Sequence, residues 1–230
     1  MSGVLAAVLN AARSKIGVTE NPPGSNDTDF GRWYSATFGG NWNGQPWCAM
    51  FVNWALAAGK ALDVHNFSYC PTGVAEYKAA GRWGSHPKPG AVVFYQWTEP
   101  VPQHVGIVES VNADGSIIAI EGNTSVSSQD NGGAVMRRVR KVGIVGYGYP
   151  IYDTTIPVVL APARPPVSEP LIRYGSTGAA VVVLQKLLKL TADGVFGPMT
   201  KSAVVTFQHA HALAPDGVVG PMTWAALNKV

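Results

Sequence analysis

His104-Val-Gly-Ile-Val-Glu-Ser-Val-Asn-Ala-Asp-Gly-Ser-Ile-Ile-Ala-Ile-Glu-Gly-Asn123 is written as two strands about a turn. Residues 104–111 alternate with the period of a strand, Asn112-Ala-Asp-Gly115 is a strong turn signal, and Ser116–Asn123 is a second strand. A four-residue loop sets Val111 opposite Ser116. Counting back then puts His104 opposite Asn123 and Glu121 opposite Gly106. On that register His104, Glu121 and Asn123 share one face, and the missing side chain at Gly106 leaves room for Glu121 to lean toward the imidazole. A two-residue Asp-Gly loop shifts the register but keeps the shared face, whereas a three-residue loop breaks it.

Upstream, Pro46-Trp-Cys-Ala-Met-Phe-Val-Asn-Trp-Ala-Leu56 predicts a turn running into an apolar helix with Cys48 in its first turn. The positive end of a helix favours a thiolate by about 0.3–1 kcal/mol when exposed and up to about 2 kcal/mol when partly buried. A thiol of ordinary pKa, roughly 8.5, is only a few per cent ionised at neutral pH. The helix alone therefore supplies about a tenfold gain, and a neighbouring imidazole is needed for more. His104 is the candidate, with Glu121 and Asn123 as the groups that orient it. The set is nucleophile, general base and orienter.

Downstream, Pro157, Pro162, Pro165, Pro166 and Pro170 fall within fourteen residues. Proline fixes its own torsion and disfavours helix in the residue before it, so this stretch is expected to be an extended spacer. The chain is accordingly divided into a catalytic domain at 1–155, a linker at 156–170 and a small domain at 171–230. Residues 1–160 carry eleven basic and eleven acidic side chains and residues 161–230 carry six and three, so the net charge of +3 lies wholly in the tail. The tail repeats itself: Asp193-Gly-Val-Phe-Gly-Pro-Met-Thr200 returns as Asp216-Gly-Val-Val-Gly-Pro-Met-Thr223. Each copy is a turn, a proline suited to the first helical position, and a helical run. With the helical spacing of Val181, Leu184 and Leu188, these predict three helices around Leu184, Leu188, Val204, Phe207, Trp224 and Leu227.

Composition excludes several classes. At 230 residues, 47 % hydrophobic and 13 % charged, the chain suits two folded domains and not a disordered one. Two cysteines cannot make a disulfide scaffold, and no apolar run approaches the roughly 18 residues of a membrane span. A charge of +3 without a concentrated basic face argues against nucleic acid as a partner. The opening segment lacks a basic start and reads as an amphipathic helix, not a signal peptide. Synthesis in the cytoplasm and a monomeric state are expected.

The tail, from about residue 170 to 230, resembles the small three-helix peptidoglycan-binding domain of cell-wall hydrolases, on its two Asp-Gly-Val-x-Gly-Pro-x-Thr units with Phe207-Gln208 between them. That implies a noncatalytic anchor for the bacterial wall. Trp224 and Phe207 themselves read as core residues, with a direct sugar contact as the lesser alternative. Residues 1–152 resemble the cysteine, histidine-dependent amidohydrolase/peptidase (CHAP) domain common in phage endolysins. The stretches that carry this are Glu20-Asn-Pro-Pro-Gly-Ser-Asn26, Gly31-Arg-Trp-Tyr34, Pro46–Trp54, Gln103-His-Val-Gly-Ile-Val-Glu109 and Ile120-Glu-Gly-Asn-Thr-Ser125. Ala91 departs from the family, which often carries an acid there. The resemblance implies an α+β, papain-like fold with helices packed on an antiparallel sheet. It makes Cys48 the nucleophile, His104 base and then acid, Glu121 the orienting partner and Asn123 a support. The substrate class is an amide of peptidoglycan, cleaved as N-acetylmuramoyl-L-alanine amidase or as endopeptidase, with release to the wall during host lysis. The rival reading is a wall-binding protein whose papain-like domain is inactive.

Other features are read as structural. Cys70 could pair with Cys48 or remain a thiol; the thiol is expected where thiols stay reduced. Asp27 and Asp29 are too few for a calcium cage, and His209-Ala-His211 reads as a solvated helix end, so no metal and no cofactor are expected. Arg137, Arg138, Arg140 and Lys141 read as a solvated cluster split over two strand faces, with contact to acidic wall polymers as a minor alternative. The second oxyanion donor is left open by the sequence, Gln45, three residues before Cys48, being one candidate.

Overall fold

A computed structural model of the chain describes residues 3–62, 66–98, 100–128, 131–152, 171–211, 213 and 215–227. The chain divides into two compact units, Met1–Ala161 and Pro162–Val230. The proposed proline linker at 156–170 lies outside the described residues.

Among the described residues of the first unit, four helices precede the sheet: α1 (Gly3–Arg13), α2 (Asp29–Phe38), α3 (Cys48–Ala58) and α4 (Cys70–Ala79). Thr28 caps α2 by accepting the Gly31 N–H, with Asp29 favourably placed in the first turn. Helix α3 is apolar on every side but for Asn53 and is accordingly a buried helix: Cys48 to Asn53, Ala55 and Leu56 are all below the surface, and the Asn53 amide donates to the Ala49 and Phe67 carbonyls (2.8 Å each). Six strands follow, β1 (Trp83–Gly84), β2 (Val92–Tyr95), β3 (His104–Val111), β4 (Ile117–Thr124), β5 (Ala134–Arg140) and β6 (Ile144–Gly148). They form one antiparallel sheet in the order β1-β6-β2-β3-β4-β5. Strand alternation sends Val92, Phe94, Val105, Ile107 and Ile120 into the core shared with the helices. The opposite face carries Val93, Tyr95, Val108, Ile117 and Ala119 in a second, smaller cluster. The fold is thus α+β, with helices packed on an antiparallel sheet.

The second unit holds α5 (Ala179–Leu187), α6 (Pro198–Ala210) and α7 (Pro221–Leu227), the last two opening on the prolines of the repeat. Leu184, Val204, Trp224 and Leu227 are buried as expected, joined by Ile172, Val181, Phe196 and Val219, while Leu188 and Phe207 are only partly buried at the edge. Phe196 and Val219, the one position at which the repeats differ, are both fully buried. One polar device holds each repeat. The Gln185 amide donates to Asp193 (2.7 Å), the Val195 carbonyl (3.1 Å) and Thr200 (3.1 Å), and its oxygen accepts the Gly194 N–H (2.9 Å). Twenty-three positions on, Gln208 does the same with Asp216, Val218, Thr223 and Gly217 at 2.9–3.1 Å. The repeat therefore extends back into the preceding helix, and its Asp and Thr close a buried amide, which would be costly to leave unpaired.

Candidate active site

Cys48 is the first residue of α3, whose N-cap is Trp47. Trp47 has no side-chain acceptor, so the positive helix end is left uncapped beside the thiol. Trp47 is itself held: its indole donates to Glu20 (3.4 Å), whose carboxylate also takes the N–H groups of Gly24 and Asn26. The Glu20–Asn26 motif thus acts as a brace for the residue before the cysteine. Cys70, the first residue of α4, reaches Cys48, and no disulfide joins them. The Cys70 thiol hydrogen bond is the largest influence on Cys48 and lowers its pKa; burial opposes, and His104 and the Ala49 amide lower it further. The thiol is held well below the ordinary cysteine range.

His104 opens β3 and is fully buried. Its Nε2 meets Glu121 Oε2 at 3.1 Å, and Nδ1 has no hydrogen-bond partner among the described residues. With Nε2 taken by Glu121, Nδ1 is the nitrogen left for Cys48. Burial alone lowers the imidazole pKa, but the neighbouring Cys48 and the bond and charge of Glu121 raise it to about 9. The two shifts run in the same sense, each favouring a thiolate beside an imidazolium.

The route to this geometry differs from the expected one. The loop has three residues, Ala113 to Gly115, closed by the Asn112 N–H on the Ser116 carbonyl (2.8 Å), with Gly115 at φ +81°. Val111 consequently pairs with Ile117, not Ser116. That loop alone would have split the shared face. A bulge between Val108 and Ser110 takes up one residue, Glu109, after which Val108 pairs with Ala119 and Ile107 with Ile120. Counting on, Gly106 faces Glu121. A Cβ on Gly106 would lie 2.6 Å from Glu121 Cγ, so glycine is required there for the carboxylate to reach His104. The Glu109 carboxylate is held by Arg13 (2.6 Å) and Arg137 (2.5 Å).

Asn123 is buried at φ +55°, but its side-chain oxygen accepts the Gly133 N–H (3.2 Å), and its NH2 has no partner among the described residues. It secures the turn before β5 and is not hydrogen-bonded to His104. Gln45 is half-buried, three residues before Cys48. The solvated reading of the basic cluster fails at Arg140, which is buried and donates from Nε to Glu121 Oε1 (2.9 Å) and from Nη2 to Oε2 (2.5 Å). Arg137 meets Glu109, Arg138 the Ser125 carbonyl, and Lys141 meets Asp114 at 3.2 Å. Strand alternation and a neutralising buried acid were the available signals for Arg140. The carboxylates of Asp27 and Asp29 are both engaged by Arg32. Among the described residues no cluster of three or more His, Cys, Asp or Glu is placed to hold a metal. His209 and His211 are exposed, and His211 stacks on Phe207 at 4.0 Å. Phe207 also lines a groove of about 450 Å³ with Leu188, Met199, Ser202, Ala203 and Thr206.

The sequence profile of the CHAP domain matches residues 40–123, a span that contains Cys48, His104, Glu121 and Asn123, and that of a peptidoglycan binding domain matches residues 177–227. The chain is a CHAP domain followed by a peptidoglycan-binding domain. Among solved structures, a fused Zn-dependent amidase/peptidase/peptidoglycan-binding domain protein of Clostridium acetobutylicum is 41 % identical over 25 % of this chain and 28 % of its own, with a TM-score of 0.25. The SleB N-terminal domain is 37 % identical over 27 % of this chain and 93 % of its own (TM-score 0.26), and the endolysin LysIME-EF1 16 % over 66 % of each (0.35). The chain thus spans little more than a quarter of the Clostridium protein. A search of the curated proteins found no match. No helix among the described residues of the CHAP protein is long and apolar enough to cross a membrane.

Proposed function

We propose that the protein is a peptidoglycan hydrolase that cleaves an amide bond through Cys48, with the second unit holding it at the wall. The observation that carries this is the buried chain Cys48–His104–Glu121 at an uncapped helix start, within the stretch that the CHAP profile matches.

In this mechanism the Cys48 thiolate adds to the amide carbonyl carbon, and the charge that develops on oxygen meets the N–H of Cys48 at the helix start, which has no partner within the helix. Gln45 is the proposed second donor. The C–N bond then breaks as the His104 imidazolium gives its Nδ1 proton to the leaving amine. Water, deprotonated by the now neutral His104, attacks the thioester, and the acyl product leaves with the Cys48 thiolate restored. Glu121 keeps the ring oriented and stabilises its charged form throughout.

Loss of turbidity of purified wall suspensions tests the reading. Wild type is expected to clear them with or without a chelator, and Cys48→Ala to leave them turbid. Clearing by Cys48→Ala would refute the cysteine mechanism, and clearing that a chelator stops would replace it with a metal. The muramoyl–alanine amide and the peptide bonds of stem or bridge take the same chemistry, and mass spectrometry of the released fragments distinguishes them. On the alkaline side, kcat/KM is expected to fall near pH 9 as His104 loses the proton it gives to the amine.

A further inference from the structure

We propose that Arg140 is a positioning residue of this hydrolase, which holds Glu121 as the anion that His104 requires. The inference rests on the cysteine reading above. Arg140 lies outside the stretch that the CHAP profile matches, at the end of β5.

A carboxyl group without exposure would ordinarily give up its charge and take a proton. Glu121 has no exposed side-chain surface, and its neighbour Arg140 only 6 %. Burial pushes Glu121 up, and the bonds from Arg140 and His104 more than reverse it, leaving the carboxyl below its usual value. Both oxygens are used: Oε1 takes Arg140 Nε, while Oε2 takes Arg140 Nη2 and His104 Nε2. Since a guanidinium keeps its proton at every pH at which the fold survives, it is the one partner that can guarantee the carboxylate. Arg140, Glu121, His104 and Cys48 then alternate in charge and sum to zero.

The guanidinium is also aimed. Its carbon lies 5.2 Å from the Tyr95 ring centre and 5.0 Å from that of Trp97, and these two rings stack at 5.1 Å and 10°. His104 lies 5.8 Å and 6.0 Å from the same two rings, so one aromatic pair backs both partners of the carboxylate. The ionisable groups facing this chain are Cys48 of α3, Cys70 of α4, Tyr95 of β2, Tyr147 of β6 and Arg138 of β5. Burial holds the Tyr95 phenol neutral, and Arg138 is tied to the Ser125 carbonyl, which leaves Arg140 as the cation bound to Glu121.

The sign of the effect separates this role from its opposite. Were Glu121 to stay ionised without Arg140, His104 would hold its proton more tightly and the thiolate would form at lower pH. If Glu121 instead takes a proton, the imidazolium loses its support and the thiolate forms at higher pH. The test is the pH profile of Cys48 carboxamidomethylation by iodoacetamide, followed by peptide mass spectrometry. It needs no wall substrate. Arg140→Met is expected to raise the midpoint by about one unit, or about tenfold less thiolate on the acid limb. Arg140→Lys should give a smaller rise, and Arg140→Met in a Glu121→Gln background no further one. A midpoint unchanged or lowered in folded Arg140→Met, or an additive rise in the double variant, overturns the proposal. Should Arg140→Met not fold, Arg140→Lys decides: a rise below that of Glu121→Gln supports it and no rise overturns it. Wild-type Cys48 reacting no faster than a free thiol would instead sink the cysteine reading itself.

Discussion

Gln185 and Gln208 perform one task twice, twenty-three residues apart, whereas the chain from Arg140 through Glu121 and His104 to Cys48 is assembled once, from four elements. In the peptidoglycan-binding unit the buried polar group is a neutral amide, and its partners lie within fifteen positions. A local, neutral device can be copied because each copy satisfies itself. In the CHAP unit the buried groups are charged and come from residues 48 to 140. Each desolvated charge must find its opposite in another element, so sheet register decides whether the site exists. The first arrangement builds a scaffold; the second sets Cys48 and His104 in a run of opposed charges, which is what the proposed mechanism needs.

The sharpest test of this contrast separates reaction from anchoring. Cys48→Ala in the full chain is expected to slow wall clearing by about a thousandfold or more, with sedimentation on walls unchanged. Loss of both together would erase the division of labour. Next in size, Gly106→Ala places a methyl group against Glu121. Displacement of the carboxylate by a fraction of an ångström to one ångström should lower kcat/KM by up to about a hundredfold, with wall binding intact. In the other unit, Gln208→Ala leaves Asp216, Thr223 and two backbone groups without their amide. It should destabilise that unit by about 2–3 kcal/mol by calorimetry and weaken sedimentation, while thiol alkylation at Cys48 is unaffected. Gln185→Ala should cost the same within about 1 kcal/mol if the copies are equivalent; a large disparity would break the equivalence.

The smallest effect concerns the bulge. Bonds from Arg137 and Arg13 outweigh the effect of burial and hold Glu109 at about 2, down from 4.5. A carboxylate with a depressed pKa contributes stability above its unfolded value, and that contribution is lost as pH falls toward the folded one. Denaturant midpoints of wild type should therefore drop between about pH 4.5 and 2 more steeply than those of Glu109→Gln. Parallel curves would show that the ion pairs do not hold the bulge. Both arginines are partly exposed, so the difference at neutral pH is expected to stay below about 1 kcal/mol.

Much of this was legible from the chain itself. The alternation of residues 104–111 and the apolar run after Cys48 have local periods, and the structure places β3 and α3 on them. Gly106 opposite Glu121 was readable as a pairing, and the duplicated Asp-Gly-Val-x-Gly-Pro-Met-Thr as two copies of one unit. Local period does not state how many residues a loop uses. The three-residue turn and the bulge at Glu109 each shift register by one, and only together do they restore the shared face. The bulge is held by Arg13 and Arg137, from α1 and β5, which no window around residue 109 contains. Arg140 read as surface because arginine usually is; its burial depends on an acid nineteen positions earlier. Cys70 likewise gained its meaning from the approach of two helix starts. Sequence alone determined which elements form and which side chains could do the chemistry, since these follow from short-range periodicity and residue type. Tertiary structure decided which charges meet, because burying a charge is tolerable only where its opposite arrives from elsewhere in the fold.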